Sequence, residues 1–404
     1  MSRAGRHLHR QEMEFEYWWL LGFPLFFGLG WLAARIDIRH LVRESRSLPR
    51  SYFRGLNFLL SEQPDKAIEA FIEVVKVDPE TVDLHFALGS LFRRRGEYDH
   101  AIRMHQNLVE RTDLAADQRA HAQFELGLDY LKAGILDRAE EVFGRMVDGP
   151  GANEARRHLL EIYQAGKEWQ KAIDVARQIE SDPAEPRSAE ISHFLCELAA
   201  GDAMHSRPDA ARARLEQALE ANRRCVRASV QLGDLERAAG NSDRAIEQWK
   251  RIEQQNPPYL ALVAQRLLEA HRDAGRLEEG LTLIAGYLER YPSLDLLDSV
   301  FQYTLEAKGA TAAYRLVRDE LKRNPTLLGL DRLLEAQIMG DSHPERRRDL
   351  ELVKNLVHGQ TRKLARYRCE NCGFKARQFH WRCPGCGGWE TYPPRRSEEF
   401  ELTP

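Results

Sequence analysis

The chain has 404 residues, with 59 Lys and Arg against 62 Asp and Glu, so its formal charge is -3. That balance excludes a globally basic nucleic-acid coat and a highly charged disordered chain. A hydrophobic content of 43% is enough to bury a core, and the length suits either two or three ordinary domains or one long repeat array. Four of the six cysteines cluster near the C-terminus, while Cys196 and Cys225 stand apart. In a chain this long the clustering favours a metal site in a reducing compartment over a disulfide framework.

Residues 1–16 form an N-terminal extension, and Met13 is a plausible alternative start. Residues 17–34, YWWLLGFPLFFGLGWLAA, carry no charge. As a helix they extend about 27 Å, close to the thickness of a hydrocarbon core. Tyr17, Trp18, Trp19 and Trp31 mark the two ends in the manner of an aromatic belt. A cleaved signal peptide is disfavoured, because Glu12, Glu14 and Glu16 precede the stretch and Leu32 occupies the small position that cleavage needs. One transmembrane helix is therefore predicted. Residues 35–50 are a basic juxtamembrane segment with Arg35, Arg39, Arg43, Arg46 and Arg50. Arg3, Arg6 and Arg10 lie on the other side. The positive-inside rule then places the bulk of the chain in the cytoplasm.

Residues 51–338 read as an array of about eight helical hairpins. The recurring pattern is Leu-Gly, an aromatic or Leu three residues on, Ala twelve after the Gly, a bulky residue four further, and often Pro. Gly55, Phe58, Ala67, Phe71 and Pro79 fit it, as do Leu88, Gly89, Phe92 and Ala101. Leu126, Gly127, Tyr130, Ala139 and Phe143 follow, then Leu159, Tyr163, Ala172 and Ala176, and later Leu232, Gly233, Ala245, Trp249 and Pro257. Weaker copies surround Ala199, Ala211 and Leu215, then Leu268, His271, Gly280 and Ile284, and last Gly309, Ala313 and Val317. Neighbouring glycines stand 34 (Gly55 to Gly89) and 38 (Gly89 to Gly127) apart. The pattern resembles the tetratricopeptide repeat (TPR), which implies an all-α superhelical solenoid. Gly and Ala allow two helices to cross closely, and the bulky residue fills the adjoining hole. One such unit cannot bury its own face, so stacking stabilises the array and leaves a groove for a protein partner. Residues 181–188, with Pro183 and Pro186, read as a break between two sub-arrays. Cys196 and Cys225 fall in helical patterns and read as buried small hydrophobes.

Residues 339–366 are a linker and helix, 367–393 a metal-binding ribbon, and 394–404 a tail. Cys369 and Cys372 form one C-x2-C and Cys383 and Cys386 the other, ten residues apart, each followed by a glycine (Gly373, Gly387). Two such knuckles offer four thiolates to one tetrahedral ion. Zinc is favoured over iron, although tetrathiolate iron uses the same geometry. With four protein ligands no position is left open for a water, so the ion would be structural. The ribbon is too small to bury a core alone. Of its aromatics Phe374, Phe379, Trp381, Trp389 and Tyr392, some are expected to cover the metal and others to dock on a neighbour. Residues 361–386 carry seven Lys or Arg and one Glu, so a basic ribbon could fold back on the acidic array. A nucleic-acid-binding ribbon is the competing reading, with Phe379 and Trp381 stacking on bases. The absence of a phosphate-binding loop and the presence of a span argue against it. No G-x-S-x-G, H-E-x-x-H or Gly-rich phosphate loop occurs, so no enzyme activity and no catalytic residue is assigned.

A span, a TPR array and a rubredoxin-like ribbon in that order resemble the family of lipopolysaccharide assembly protein B. The sharpest match is Cys369, Cys372, Gly373, Cys383, Pro384, Cys386 and Trp389. The resemblance implies an adaptor at the bacterial inner membrane. Its partners would be the membrane protease FtsH, the lipid A pathway deacetylase whose degradation it promotes, and other lipopolysaccharide synthesis or transport proteins. A homo-oligomer is compatible with it. Departing from the family pattern is the stretch before Met13.

Overall fold

The computed structural model describes residues 27–29, 31, 50–61, 63–77, 82–149, 151–180 and 187–398. The predicted span lies outside these apart from residues 27–29 and 31, as do most of the basic segment 35–50 and the tail beyond residue 398. Among the described residues no helix is long and apolar enough to cross a membrane. The chain divides into two compact units, residues 1–142 and 143–404. The break between sub-arrays read at residues 181–188 falls mostly outside the described residues, and the boundary between compact units falls after Val142.

In the first unit the helices are α1 (Arg50–Leu60), α2 (Pro64–Val77), α3 (Val82–Arg95), α4 (Tyr98–Glu110) and α5 (Ala116–Lys132), and α6 (Leu136–Gly144) runs across the boundary. From α1 to α5 each helix packs on the next, because the repeat pattern puts its small residues at their crossings. A Cβ on Gly55 would overlap the Phe71 ring, and one on Gly89 would overlap the His105 ring. Ala67, Phe71, Leu84, Leu88, Leu91 and Ala101 form the buried layer between them. The α3–α4 turn uses Gly96 at φ 81°, whose N–H bonds to Arg93 O at 3.1 Å while Glu97 N–H bonds to Phe92 O at 2.9 Å. A left-handed glycine there satisfies the last carbonyls of α3.

His105 departs from the apolar pattern. It stands four residues after Ala101, where other repeats carry Phe71, Phe143 or Trp249, and it is fully buried. Its Nδ1 lies 2.5 Å from Asp129 Oδ2. Arg93 donates to Asp129 Oδ1 at 2.8 Å and to Glu125 Oε2 at 2.6 Å. The hole that an aromatic fills elsewhere is thus filled by a ring that also joins α3, α4 and α5 through a polar network.

The second unit continues with α7 (Ala152–Ala165), α8 (Trp169–Glu180), α9 (Ser188–Met204), α10 (Pro208–Ala221), α11 (Val226–Ala238), α12 (Ser242–Lys250), the single turn α13 (Ile252–Gln255) and a 3-10 turn, Pro257–Leu262. Then come α14 (Ala264–Asp273), α15 (Leu277–Arg290), α16 (Leu294–Lys308), α17 (Ala310–Arg323) and α18 (Leu327–Gly340). The weaker copies read from sequence are helix pairs as well: α9 with α10, α14 with α15, and α16 with α17. Trp249, fully buried, packs under Gly233 and donates its indole N–H to Val230 O at 3.2 Å. The linker expected from residue 339 is short, because α19 (Pro344–Leu364) starts four residues after Gly340 and packs on α18.

Glu236 on α11 is buried and accepts from Arg212 on α10 and from Asn241 Nδ2 at 3.0 Å. The Arg212 hydrogen bond holds its carboxyl below the usual carboxylate range. A carboxyl lowered by folding contributes stability above its unfolded pKa and loses it as pH falls through the folded pKa. Between about pH 5 and pH 3 the urea midpoint of the wild type should therefore fall further than that of Arg212→Met.

α19 leads directly into β1 (Ala365–Arg368), the centre of a three-stranded antiparallel sheet flanked by β2 (Lys375–Ala376) and β3 (Ser397–Glu398). Tyr367 pairs with Ala376 and Arg366 with Ser397. This sheet frames the cysteine knuckles.

Candidate metal centre and its seat

The two C-x2-C segments fold alike. Cys369 N–H bonds to Phe374 O at 2.9 Å and Gly373 N–H to Cys369 O at 3.0 Å. In the second knuckle Cys383 N–H bonds to Gly388 O at 2.9 Å and Gly387 N–H to Cys383 O at 2.8 Å. Gly373 and Gly387 both take positive φ, 75° and 70°, which the turn back toward the sulfurs requires. The second Cys–x–x–Cys also leaves no room beside Gly385, where a Cβ would press within 3.2 Å of Cys372 Sγ.

These turns bring the four sulfurs within 4.8 Å of one another. Cys369 and Cys386 are 3.8 Å apart, and Cys372 and Cys383 are 3.7 Å apart. A tetrahedron of sulfurs at zinc–thiolate distance, about 2.3 Å, has edges of about 3.8 Å, so the donor set fits one such ion. Cys369 and Cys383 are buried, whereas Cys372 and Cys386 face outward. Around them Thr391 Oγ1 lies 3.4 Å from Cys369 Sγ, and Asn371 Nδ2 points at Cys386 Sγ from 3.5 Å. Such polar contacts orient the sulfurs and spread their charge.

The aromatics divide between two tasks. Tyr392, buried, packs with Cys369, Cys383, Tyr367 and Phe379, and its hydroxyl donates to Tyr367 O at 3.1 Å. Trp381 and Trp389 instead leave the ribbon and seat it on the array. Trp389 stacks on His193 of α9 with ring centres 4.8 Å apart, meets Phe194 edge-on, and aims its indole N–H at Gln164 of α7 from 3.4 Å. Trp381 stacks on Tyr259 at 5.6 Å, with Phe379 edge-on to the same ring. The guanidinium of Arg227 on α11 lies over both tryptophans, 5.9 Å and 5.8 Å from their centres, and pairs with Glu197 at 2.8 Å. A cation over two desolvated indoles holds them more firmly than area alone.

Ion pairs fix the orientation. His193 Nε2 meets Glu390 Oε1 at 2.9 Å. Glu390 itself adopts φ 55°, a conformation unusual for a side-chain-bearing residue. Further along, Asp295 at the start of α16 pairs with Arg396 at 2.5 Å and accepts from the Tyr367 hydroxyl at 3.3 Å. Burial pushes the Asp295 carboxyl up, against the pull of Arg396 and Tyr367. Helices α7, α9, α11 and α16 thus all contribute to one seat.

Sequence reasoning brought out the four cysteines, and the structure brings them together. It did not single out Gln164, His193, Arg227, Asp295 or Glu390. Those residues carry no spacing signal, because their partners lie up to 225 residues away. The loop offered to nucleic acid, residues 375–382, has its two aromatics engaged with Tyr259. Cys196 and Cys225 are buried, as read, and their sulfurs are 3.9 Å apart.

Comparison with known proteins agrees with this geometry. A family model described as a rubredoxin metal binding domain matches residues 367–394, and a tetratricopeptide repeat model matches residues 54–113 and 205–261. The chain is similar to lipopolysaccharide assembly protein B of Escherichia coli (strain K12), 34% identical over 376 residues that cover 92% of this chain and 96% of that one. The protein of the same name from Haemophilus influenzae is 29% identical over 391 residues, covering 93% and 97%. Among solved structures, a chain of Naa15/Naa10 bound to HypK-THB is 15% identical at TM-score 0.39, covering 78% of this chain and 54% of that one. A tetratricopeptide repeat protein from Parabacteroides merdae is 14% identical at TM-score 0.32, covering 76% and 100%.

Proposed function

This chain belongs to the lipopolysaccharide assembly protein B family, and on that premise we propose that it is a non-enzymatic adaptor controlling lipopolysaccharide output at the bacterial inner membrane. Residues 17–34 anchor it, and the array and ribbon face the cytoplasm. Cys369, Cys372, Cys383 and Cys386 hold one structural ion, zinc in preference to iron. When bound, the ion cross-links the two knuckles and provides the folding energy the ribbon lacks. The ribbon's own residues do the rest: Trp381, Trp389 and Glu390 dock it on α9, α11 and Tyr259 of the second unit.

The adaptor brings the lipid A pathway deacetylase to the membrane protease FtsH. Tethering in the bilayer plane raises the effective concentration of array and protease for each other. Other lipopolysaccharide synthesis and transport proteins use the remaining array surface. The observation that carries this reading is identity over nearly the full length of a relative named for lipopolysaccharide assembly. The half-life of the deacetylase, measured in cells with and without this protein, tests it. Depletion should lengthen that half-life severalfold. An unchanged half-life would leave a membrane-tethered TPR scaffold with a different cargo.

A further inference from the structure

Cys196 and Cys225 take no part in the seat or in the metal centre, yet they are not equivalent buried thiols. Cys196 lies inside α9, and Cys225 caps the start of α11, just after a turn in which its N–H bonds to Asn222 O at 3.0 Å. Their sulfurs are 3.9 Å apart and both side chains are fully buried. A hydrogen bond from Cys196 is the main cause that brings the Cys225 thiol down to about 6, with His193 and Ser192 assisting against the opposing effect of burial. Burial pushes the Cys196 thiol up. At 3.9 Å, one sulfur can attack an oxidant and the other can then close on it. A disulfide needs about 2.05 Å between sulfurs, so the pair must close by about 2 Å. Cys225 sits at a helix start beside a turn, where such a shift is most readily taken up.

Residues next to this pair carry the ribbon. His193, which acts on Cys225, is stacked under Trp389. Arg227, two residues beyond Cys225, lies beneath both indoles. Tyr259, which also senses Cys225, is covered by Trp381. A lifted ribbon would remove the aromatic cover from His193, Arg227 and Tyr259, the residues next to the thiols.

We propose that Cys196 and Cys225 are a hydroperoxide-oxidisable dithiol that the seated ribbon shields, so that the redox state of the array records whether the ribbon is folded on it. In the first step the Cys225 thiolate attacks one peroxide oxygen and the O–O bond breaks. A sulfenic acid forms, and the departing hydroxide takes a proton and leaves as water. In the second step the Cys196 sulfur attacks the sulfenic sulfur, an S–S bond replaces S–O, and the displaced hydroxyl leaves with the Cys196 proton as a second water. Two thiols and one hydrogen peroxide become one disulfide and two waters, with two electrons passing from sulfur to peroxide. The disulfide then ties α9, which carries His193, to the start of α11, which carries Arg227.

Part of the test rests on the reading that a metal ion folds the ribbon, and part does not. The reduced full-length protein is exposed to hydrogen peroxide as the metal-loaded wild type, the chelator-stripped wild type, and loaded Trp389→Ala and Glu390→Gln. Metal content is measured by elemental analysis and folding by circular dichroism. The cross-linked Cys196–Cys225 peptide is quantified by mass spectrometry after alkylation of free thiols. It should form about tenfold faster in the stripped protein and in Trp389→Ala than in the loaded wild type, as expected when local opening limits access. Glu390→Gln should fall between them, and Cys225→Ser should leave Cys196 reduced. Equal rates in the loaded wild type and a folded Trp389→Ala would overturn the shielding, and absence of the cross-linked peptide in every sample would overturn the dithiol. A wild type that carries no metal would count against the metal reading alone, since the two loop variants still decide the thiol proposal.

Discussion

Serine at both Cys372 and Cys383 is expected to reduce bound metal from about one ion per chain to near zero and to unfold the ribbon while the array stays helical. The substitution takes one sulfur from each knuckle, leaving only Cys369 and Cys386, which cannot close a tetrahedron. The ribbon has little to fall back on. Its buried cluster is Cys369, Cys383 and Tyr392 with a few partly buried neighbours, and two of those three are proposed ligands. Structural zinc provides about 10–16 kcal/mol to domains of this size, far more than the packing of one tyrosine. The unfolded ribbon cannot present Trp381 and Trp389 to Tyr259 and His193, so both indoles become wet. Elemental analysis, far-UV circular dichroism and tryptophan fluorescence check the three parts separately. Full metal content in the double variant would refute the ligand assignment. A red-shifted emission with unchanged helicity would show that the ribbon, not the array, depends on the ion.

The second large effect concerns the first unit. Asp129→Ala should destabilise it by about 3–5 kcal/mol, the usual consequence of removing one member of a buried charge network. Asp129 is fully buried and is the shared acceptor of His105 Nδ1 and Arg93 Nη1. Without it Arg93 keeps Glu125, but His105 loses the contact at Nδ1, and its Nε2 has no hydrogen-bond partner among the described residues. Asp129→Asn retains an acceptor and a similar shape, and should cost about 1–2 kcal/mol. Urea unfolding gives the size of the loss. Hydrogen exchange of the amides in α3, α4 and α5 shows whether it stays in this unit. A loss below about 1 kcal/mol for the alanine variant would mean that the network adds nothing beyond its packing.

The repeats were legible because their constraint is local and steric. Gly89 must be small wherever a ring from the next helix fills its place, and the spacing to Ala101 repeats that demand within one hairpin. The cysteines were legible because one ion needs four sulfurs at knuckle spacing. What fills the hole beside Gly89 was not legible, since His105 breaks the apolar pattern and its reason, Asp129, lies in a third helix. The seat was legible only as a surplus of aromatics and of positive charge in the ribbon. Which rings turn inward and which outward depends on Tyr259 and His193, residues that look like ordinary helix and loop positions in the sequence. The compact-unit boundary after Val142 also had no composition signal, whereas the prolines near residue 183 drew attention to a stretch that does not divide the units.

The seat joins residues far apart in the order of synthesis. His193 leaves the ribosome 197 residues before Glu390. At about 5–20 residues per second, that interval is roughly 10–40 s. Throughout it, the helices around Trp169, His193 and Phe194 can fold while their aromatic cover is still unmade. A nascent chain therefore carries a sticky face until its last cysteines emerge and find metal. Cells short of that metal would accumulate chains stalled at this stage, and chaperone demand for this protein should rise with metal starvation even though its transcript does not change.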